Sequence, residues 1–393
     1  MLNFQSLFSV KNHGIHKIIT ILGIKIKFKS KKLMQKQRFE GIERDLRSQR
    51  RTIAQQKSMI DNLQEKILVQ QETISNLQEK IDKKINNQQN KINNLTKQLN
   101  YKIQKYLPHE KYAEFLKDWY FEKTGKFLNL DNPQTFNEKI QWLKLNDSTS
   151  LKTRLADKYL VRDWVKEKIG EEYLIPLLGV WDNFDEIDFN TLPDKFVLKC
   201  NHGCGYNIIV TDKSKLDIDD ARKKINTWMN EDFAFRNGLE LHYHDIEHKI
   251  IAEKYIENSG NDLYDYKFWC FNGEVKYIQF LSERNTNGLK MAYYDSEWNK
   301  QEFITGHKLD EKILTKPENL DLYIKTVEKL VKDLSFVRAD FYIVKNKLYF
   351  GELTFTPFSG CEKWTPKKYN LQFGQMIQLP TESRKLCEIS QPR

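Results

Sequence analysis

The sequence predicts an α+β body preceded by a long coiled-coil helix and a small, basic β segment. Three observations carry that prediction. Apolar residues fall seven apart from Phe39 to Ile81, the repeat of a helix with one sticky seam. The run Ile24-Lys25-Ile26-Lys27-Phe28-Lys29 alternates with period two, the mark of a strand with one apolar and one charged face. Beyond residue 107, short apolar runs bounded by turn residues alternate with helical patterns. The expected divisions are 1–34, 35–106 and 107–380, with a polar tail at 381–393.

The 393 residues exceed one compact domain, and the net charge of +10 is unevenly spread. Residues 1–50 hold 12 Lys/Arg against 3 acids, which is +9, so the rest of the chain is close to neutral. The basic character therefore belongs to the head. Asn12-His13-Gly14 and Leu22-Gly23 are turn signals that split the head into strands. Lysines on one strand face suit an anionic membrane surface, at about 1 kcal/mol each. A solvated face or a docking tag fits the same pattern. Nucleic acid is not expected, because only Phe4, Phe8 and Phe28 are available for base stacking in this stretch.

In the stalk, Phe39, Leu46, Ile53, Ile60, Ile67, Ile74 and Ile81 form one seam, and Ile42, Leu63 and Leu77 supply the second. The word Asn-Leu-Gln-Glu-Lys-Ile occurs at 62–67 and again at 76–81. After Ile81 the pattern steps by four to Ile85 and continues through Ile92, Leu95 and Leu99, a stutter. No Pro and no Gly follows Gly41 within the stretch. At about 1.5 Å per residue, some 65 helical residues extend roughly 100 Å. A lone helix cannot bury such a stripe, so self-association is expected, most simply as a parallel dimer. A single mobile charged helix is the other reading.

Several classes are disfavoured. The five cysteines are odd in number and dispersed, which suits a reducing cytoplasm better than a disulfide framework. Cys200, His202 and Cys204, or His242, His244 and His248, superficially resemble zinc ligands but lack the usual spacing. No run reaches the roughly 20 apolar residues of a membrane span, and no cleavage site follows Ile18–Leu22. The expectation is a cytoplasmic protein whose basic head is available to the inner face of the cell membrane.

The chemistry concentrates in the body. Val337-Arg338-Ala339-Asp340-Phe341-Tyr342 and Leu348-Tyr349-Phe350-Gly351-Glu352-Leu353-Thr354 read as two strands joined by a turn centred on Asn346. Adjacent antiparallel strands can set Asp340 beside Glu352. Two such carboxylates repel unless a cation lies between them, and Mg²⁺ suits hard oxygens facing phosphate. An ordinary hairpin with a surface Asp and Glu fits the same words. Upstream, Phe196–Lys199–Cys200 is a strand ending near a cation. Asn201-His202-Gly203-Cys204-Gly205-Tyr206-Asn207 then forms a glycine loop before Ile208–Val210. Its backbone N–H groups can cover phosphates, although it is not a Walker loop. Ile250–Ile256 carries Glu253 and Lys254 into an apolar run, where they are expected to face a polar ligand or each other. Lys267 stands among aromatics in Tyr264–Trp269.

Taken in order, these elements resemble the ATP-grasp superfamily, and specifically the TupA-like ATP-grasp proteins of bacterial surface-polysaccharide gene sets. The words Phe136-Asn137-Glu138-Lys139-Ile140-Gln141-Trp142-Leu143-Lys144, Ala156-Asp157-Lys158-Tyr159, Asp265-Tyr266-Lys267-Phe268 and Phe271-Asn272-Gly273 are similar to that family's own. The resemblance covers roughly residues 115–378 and implies two α+β lobes that clamp ATP. Lys158 and Lys199 would hold the phosphates, under a mobile flap at Gly203 and Gly205. Glu253 and Lys254 would take the adenine, with the backbone of Tyr255 and Ile256 as hinge. Lys267 and Arg338 would face the transferred phosphoryl group, and Asp340 and Glu352 would carry Mg²⁺. Thr354 stands where the superfamily usually has Asn, and Pro357-Phe358 with the later Gly360 replaces its usual Pro-Gly.

The resemblance implies an ATP-dependent carboxylate–amine ligase acting through an acylphosphate. Its substrates would be an amine and a carbohydrate or sugar-linked carboxylate of the uronic-acid type, or an amino acid added to a surface polysaccharide. Two alternatives stand beside it. A glycosyltransferase of the same pathway would need an Asp-x-Asp metal motif, and Asp217-Ile218-Asp219-Asp220 matches but reads as the start of a helix. A non-catalytic coiled-coil scaffold is the third.

Overall fold

The computed structural model describes residues 8–13, 16–21, 24–26, 34–257, 265–282, 290–306, 308–310 and 313–380. Two compact units are present, Met1–Ile92 and Asn93–Arg393.

In the first unit, β1 (Phe8–His13), β2 (His16–Ile21) and β3 (Ile24–Ile26) form an antiparallel three-stranded sheet. The strand character expected from the alternating pattern is present. Lys27, Phe28 and Lys29 lie outside the described residues, as do the turn positions Gly14 and Leu22-Gly23. Helix α1 (Met34–Lys105) runs unbroken for 72 residues. Along its apolar seam Ile53, Ile67, Ile74, Ile81 and Ile92 are exposed, Ile53 at 37% and Ile74 at 60%. No helix among the described residues is long and apolar enough to cross a membrane.

The second unit begins inside α1, at Asn93. The Gln104 side chain is buried, and its Oε1 accepts from the N–H of Gly238 at 2.8 Å. Tyr101 Oη accepts from the N–H of Asp232 at 3.0 Å. The last turns of the helix are thus bonded into the body.

Four helices follow: α2 (Tyr112–Thr124), α3 (Phe136–Asn146), α4 (Ser150–Ala156) and α5 (Val161–Lys168). Helix α3 starts on a capping box, in which Thr135 and Glu138 each satisfy a backbone N–H of the other. Its apolar side, Phe136, Ile140 and Leu143, enters an aromatic core with Trp269, Phe336, Trp364 and Phe373. Burying one such ring is worth about 1.5–3 kcal/mol, so this cluster fixes where α3 sits on the large sheet.

Strands β4 (Leu177–Trp181), β5 (Phe196–Cys200) and β6 (Asn207–Val210) precede helix α6 (Ile218–Met229) and strand β7 (Ile250–Lys254). They make an antiparallel sheet of order β4-β7-β5-β6. Asp217 caps α6 by accepting from the N–H of Asp220, as its helix-start reading requires.

The remaining strands are β8 (Asp265–Phe271), β9 (Glu274–Ser282), β10 (Lys290–Asp295), β11 (Ile304–Thr305) and β12 (Lys308–Leu309). Helix α7 (Leu320–Val331), β13 (Phe336–Val344), β14 (Lys347–Thr354), β15 (Trp364–Thr365) and α8 (Tyr369–Met376) complete the unit. The large sheet has the order β12-β10-β9-β8-β13-β14, and β11 pairs with β15. The turn between β13 and β14 places Lys345 and Asn346 at φ 50° and 58°. Two successive left-handed residues make the tight hairpin turn whose twist matches the strands, and Asn tolerates that conformation. The tail at 381–393 lies outside the described residues.

Candidate active site

The hairpin turn sets the register as far as Phe341 opposite Phe350, and a bulge at Gly351 then shifts it by one residue. Asp340 on β13 lies directly opposite Glu352 on β14, and on its other side opposite Lys267 on β8. Three adjacent strands therefore deliver Lys267, Asp340 and Glu352 in one row across the sheet. Arg338, two residues before Asp340 and on the same face, lies opposite Thr354.

Asp340 is buried and clamped by two cations. Arg338 Nε donates to Asp340 Oδ1 at 2.7 Å, and Arg338 Nη2 donates to Oδ2 at 2.7 Å. Lys267 Nζ donates to the same Oδ2 and lies 3.4 Å from Asp265. Arg338 Nη2 also donates to the Thr354 hydroxyl at 3.2 Å. Burial pushes the Asp340 carboxyl up, but Arg338 and Lys267 outweigh it, and the carboxyl lies below its usual range. Burial likewise raises Glu352, and the Lys158 ammonium leads the cations that bring it below its ordinary value.

Lys158 connects this row to the glycine loop. Its Nζ donates to the carbonyl of Gly203 at 2.6 Å and lies 3.2 Å from Glu352 Oε2. The loop needs glycine at both positions. A Cβ on Gly203 would meet the Tyr206 ring at 2.6 Å, and Gly205 has φ +78°, a conformation that suits glycine.

A second cluster lies on the smaller sheet. Glu253 on β7 is buried and pairs with Lys199 of β5 at 2.5 Å and with Arg162 of α5 at 3.1 Å. Arg162 is in turn held by the carbonyl of Ile175 at 2.8 Å. Glu253 and Lys254 were expected to face one ligand or each other. Strand alternation instead turns Lys254 to solvent, while its N–H donates to the Pro176 carbonyl at 2.9 Å. Strand β7 ends there, and Tyr255 and Ile256 follow as half-buried, non-strand residues.

Lys267, expected to stand among aromatics, is ion-paired to Asp340 and Asp265. Arg162 and Asp265 went unassigned from sequence. Asp265 is two residues from Lys267 in an extended run and so shares its face, a signal that was available. Arg162 offered none, because its partner is 91 residues away.

The family-like word on α3 also acquires a physical reason. Asn137, Gln141 and Lys144 share one helix face and hold the loop that follows β14. Asn137 Nδ2 donates to the Glu362 carbonyl at 3.0 Å, and Gln141 Nε2 to those of Ser359 and Gly360 at 2.9 Å each. Lys144 Nζ donates to the Gly238 carbonyl at 2.9 Å and the Ser359 carbonyl at 2.7 Å. The loop they hold is strained, with Phe358 and Ser359 at φ 46° and 52°.

The donor set fits Mg²⁺. Asp340 and Glu352 are hard carboxylates from adjacent strands, Thr354 adds a neutral oxygen, and cations surround them for an anionic partner. The zinc-like words do not assemble. His202 stacks on His248 with centroids 3.5 Å apart, and its Nε2 bonds the Trp228 carbonyl. His244 pairs with Asp232, and His248 with the Met229 carbonyl. No group of three or more His, Cys, Asp or Glu side chains arranged for a metal occurs among the described residues.

A strand–glycine loop–strand element over a sheet bearing paired carboxylates is the architecture of a nucleotide-clamping protein. Residues 138–378 match the model of the TupA-like ATPgrasp family, and the chain belongs to that family. Among solved structures, the D-alanine–D-alanine ligase of Bacillus anthracis complexed with ATP is similar at 16% identity, covering 56% of this chain and 63% of that one, with a TM-score of 0.34. The D-alanine–D-alanine ligase of Helicobacter pylori shares 15% identity over 57% of this chain and 58% of that one, TM-score 0.32. An ADP complex of N5-carboxyaminoimidazole ribonucleotide synthetase shares 12% over 56% and 50%, TM-score 0.33. The chain spans less than two thirds of the length of each of these structures. No curated protein matches it.

Proposed function

We propose that the body is an ATP-dependent carboxylate–amine ligase working through an acylphosphate. The observation that carries the reading is the row Lys267–Asp340–Glu352, flanked by Arg338 and Lys158. Two carboxylates in register beside three cations suit a metal-bound triphosphate better than they suit a structural core.

In this reading Lys158 and Lys199 bind the ATP phosphates, and the Gly203–Gly205 loop covers them with backbone N–H groups. Lys199 exchanges its contact with Glu253 for phosphate oxygen, leaving Glu253 to the adenine amino group. Lys254, Tyr255 and Ile256 contribute backbone groups at the adenine edge. Asp340, Glu352 and Thr354 hold Mg²⁺, which when bound supplies charge neutralisation for the phosphates. Arg338 and Lys267 turn from Asp340 to the transferred phosphoryl group, where fixed cations in a water-poor site stabilise developing charge. The acceptor carboxylate takes the phosphoryl group, and an amine then displaces phosphate to form an amide.

The finer substrate class we infer is a uronic-acid-type carboxylate, or an amino acid joined to a bacterial surface polysaccharide or its precursor. The capping role of Asp217 in α6 leaves the glycosyltransferase alternative without its motif. The exposed seam residues of α1 favour a second copy of this chain as partner, and the basic head favours an anionic membrane surface.

The test is a screen of carboxylates and amines that couples ADP release to mass detection of an amide. ADP release that depends on both substrates supports the ligase. Transfer of a sugar, or nucleotide binding without turnover on any pair, removes it.

A further inference from the structure

Where the last turns of α1 enter the body, they close one side of a cavity of about 580 Å³. The ends of α2 and α6 and the segment after α6 close the rest. Four cations and one acid line it: Lys97, Lys102, Lys123 and Arg236 against Glu231. The acid is already engaged. Glu231 Oε2 accepts from the hydroxyl of Tyr206, in the glycine loop, at 2.5 Å and lies 3.5 Å from Arg236 Nη1. Arg236 Nη1 donates to Tyr206 Oη at 3.0 Å, and the guanidinium lies over the Tyr206 and Phe233 rings at 5.4 and 5.8 Å. These contacts hold Arg236 in place but use only Nη1. Its Nε and Nη2 have no partner among the described residues, and neither have the ammonium groups of Lys97, Lys102 and Lys123. A cation in the last turn of a helix complements the helix dipole, at about 0.3–1 kcal/mol, and Lys102 and Lys123 fit that role. Lys97 lies well before the end of α1, and Arg236 belongs to neither helix, so the dipole does not account for all four. The floor is apolar. Trp119 is buried against Gly238, where a Cβ would meet its ring at 2.7 Å, and the Tyr101 hydroxyl is bonded to the Asp232 N–H. Gln98, Asn100 and Asn237 add amides to the wall, each a donor and an acceptor.

We propose that this cavity binds a small anion that also carries hydroxyl groups, of the sugar-phosphate or acidic-sugar type. The three lysines supply charge from several directions, and the unused edge of Arg236 supplies a planar, pre-oriented pair of donors for phosphate or carboxylate oxygens. The amides of Gln98, Asn100 and Asn237 meet the hydroxyl groups. Trp119 and Tyr101 give the apolar face of a sugar ring a surface to rest on. The size agrees, since small-molecule sites span about 300–1,000 Å³, and an inorganic ion alone fills only a fraction of this one. With its one carboxylate committed to Tyr206 and Arg236, the cavity has nothing to offer an amine or a divalent cation. The proposal goes beyond the ligase reading and does not rest on it. The cavity shares no residue with the Lys267–Asp340–Glu352 row, and its occupancy is read without turnover.

The experiment is isothermal titration calorimetry of the full chain at low ionic strength with glucose 1-phosphate, with D-glucuronate and with glucose. Wild type is expected to bind both anions, and glucose at least about tenfold more weakly. Lys97→Gln combined with Lys102→Gln and Lys123→Gln should weaken anion binding at least about tenfold. The same change at Lys325, Lys329 and Lys332, exposed lysines at and after α7, should leave it within about twofold, because charges outside the cavity are screened. Whichever anion binds more tightly tells a phosphate ester from a carboxylate, and either order upholds the site. Circular dichroism checks each fold. If the triple cavity variant is unfolded, Lys97→Gln alone carries the comparison, with a loss of at least about threefold. No binding of either anion, glucose binding as tight as its phosphate, or a cavity variant no weaker than the α7 variant overturns the assignment.

Discussion

Lys158 lies 3.2 Å from Glu352 while donating to the Gly203 carbonyl, so one ammonium ties the glycine loop to the carboxylate row. That bridge links the two parts of the site that belong to different sheets. Replacing Lys158 with Met removes the cation and frees the loop. Turnover measured as ADP release is expected to fall about 100-fold or more, with Lys158→Arg intermediate. Wild-type turnover in Lys158→Met would show that the bridge has no catalytic part.

The depressed carboxyls predict an acid limit. The ordinary values are 3.8 for Asp340 and 4.5 for Glu352, and the folded values lie lower. Each contribution to stability is fully present above the ordinary value and is lost as pH falls through the folded one. Urea unfolding at pH 5, 4 and 3 should give a steeper decline for wild type than for Glu352→Gln. Parallel declines would contradict the assignment.

Glu362, buried with neither carboxylate oxygen hydrogen-bonded among the described residues, has the opposite sign. Its carboxyl rises from 4.5 to about 8 on folding, so the folded state binds the proton more tightly and stability falls as pH climbs between those values. The neutral Glu362→Gln side chain should therefore gain stability relative to wild type from pH 5 to pH 8, by roughly 1.4 kcal/mol per unit at most. A pH-independent difference in unfolding free energy would remove the buried-acid description.

Asn137 anchors the strained loop through two bonds, to the Glu362 carbonyl at 3.0 Å and from Trp364 Nε1 at 3.4 Å. Asn137→Ala leaves a buried carbonyl unpaired and should cost about 2–3 kcal/mol. Calorimetry reads the loss, and a change below 0.5 kcal/mol would mean the loop holds without it.

The boundary inside α1 makes a prediction about truncation. A chain starting at Asn93 keeps Tyr101 and Gln104 and should be a stable monomer with the turnover of the full chain. A chain starting at 107 leaves the buried N–H groups of Gly238 and Leu239 unpaired, at about 1–3 kcal/mol each, and should melt earlier. The full chain should sediment as an oligomer, because α1 exposes its seam. Equal melting of the two truncations, or a monomeric full chain, would correct this picture.

Local patterns made parts of this site readable in advance. Period-two alternation and an Asn-centred turn make the β13–β14 hairpin readable, but that turn alone would set Asp340 opposite Gly351, and the bulge that brings Glu352 there instead is not legible in the pattern. The same alternation should have turned Lys254 away from Glu253 and put Asp265 on the Lys267 face. The pairing of Glu253 with Arg162 was not readable, since it depends on where α5 packs across the sheet. Nor was Glu362, whose isolation follows from the loop that Asn137, Gln141 and Lys144 hold across more than 200 residues of chain.

The central claim is that Asp340 and Glu352 jointly hold a divalent cation with a triphosphate. Electron paramagnetic resonance of Mn²⁺ titrated into the protein with a non-hydrolysable ATP analogue tests it directly. The account predicts a bound-metal signal that needs the nucleotide and disappears in Glu352→Gln, with the fold intact by circular dichroism. A signal of the same strength in that variant would contradict it.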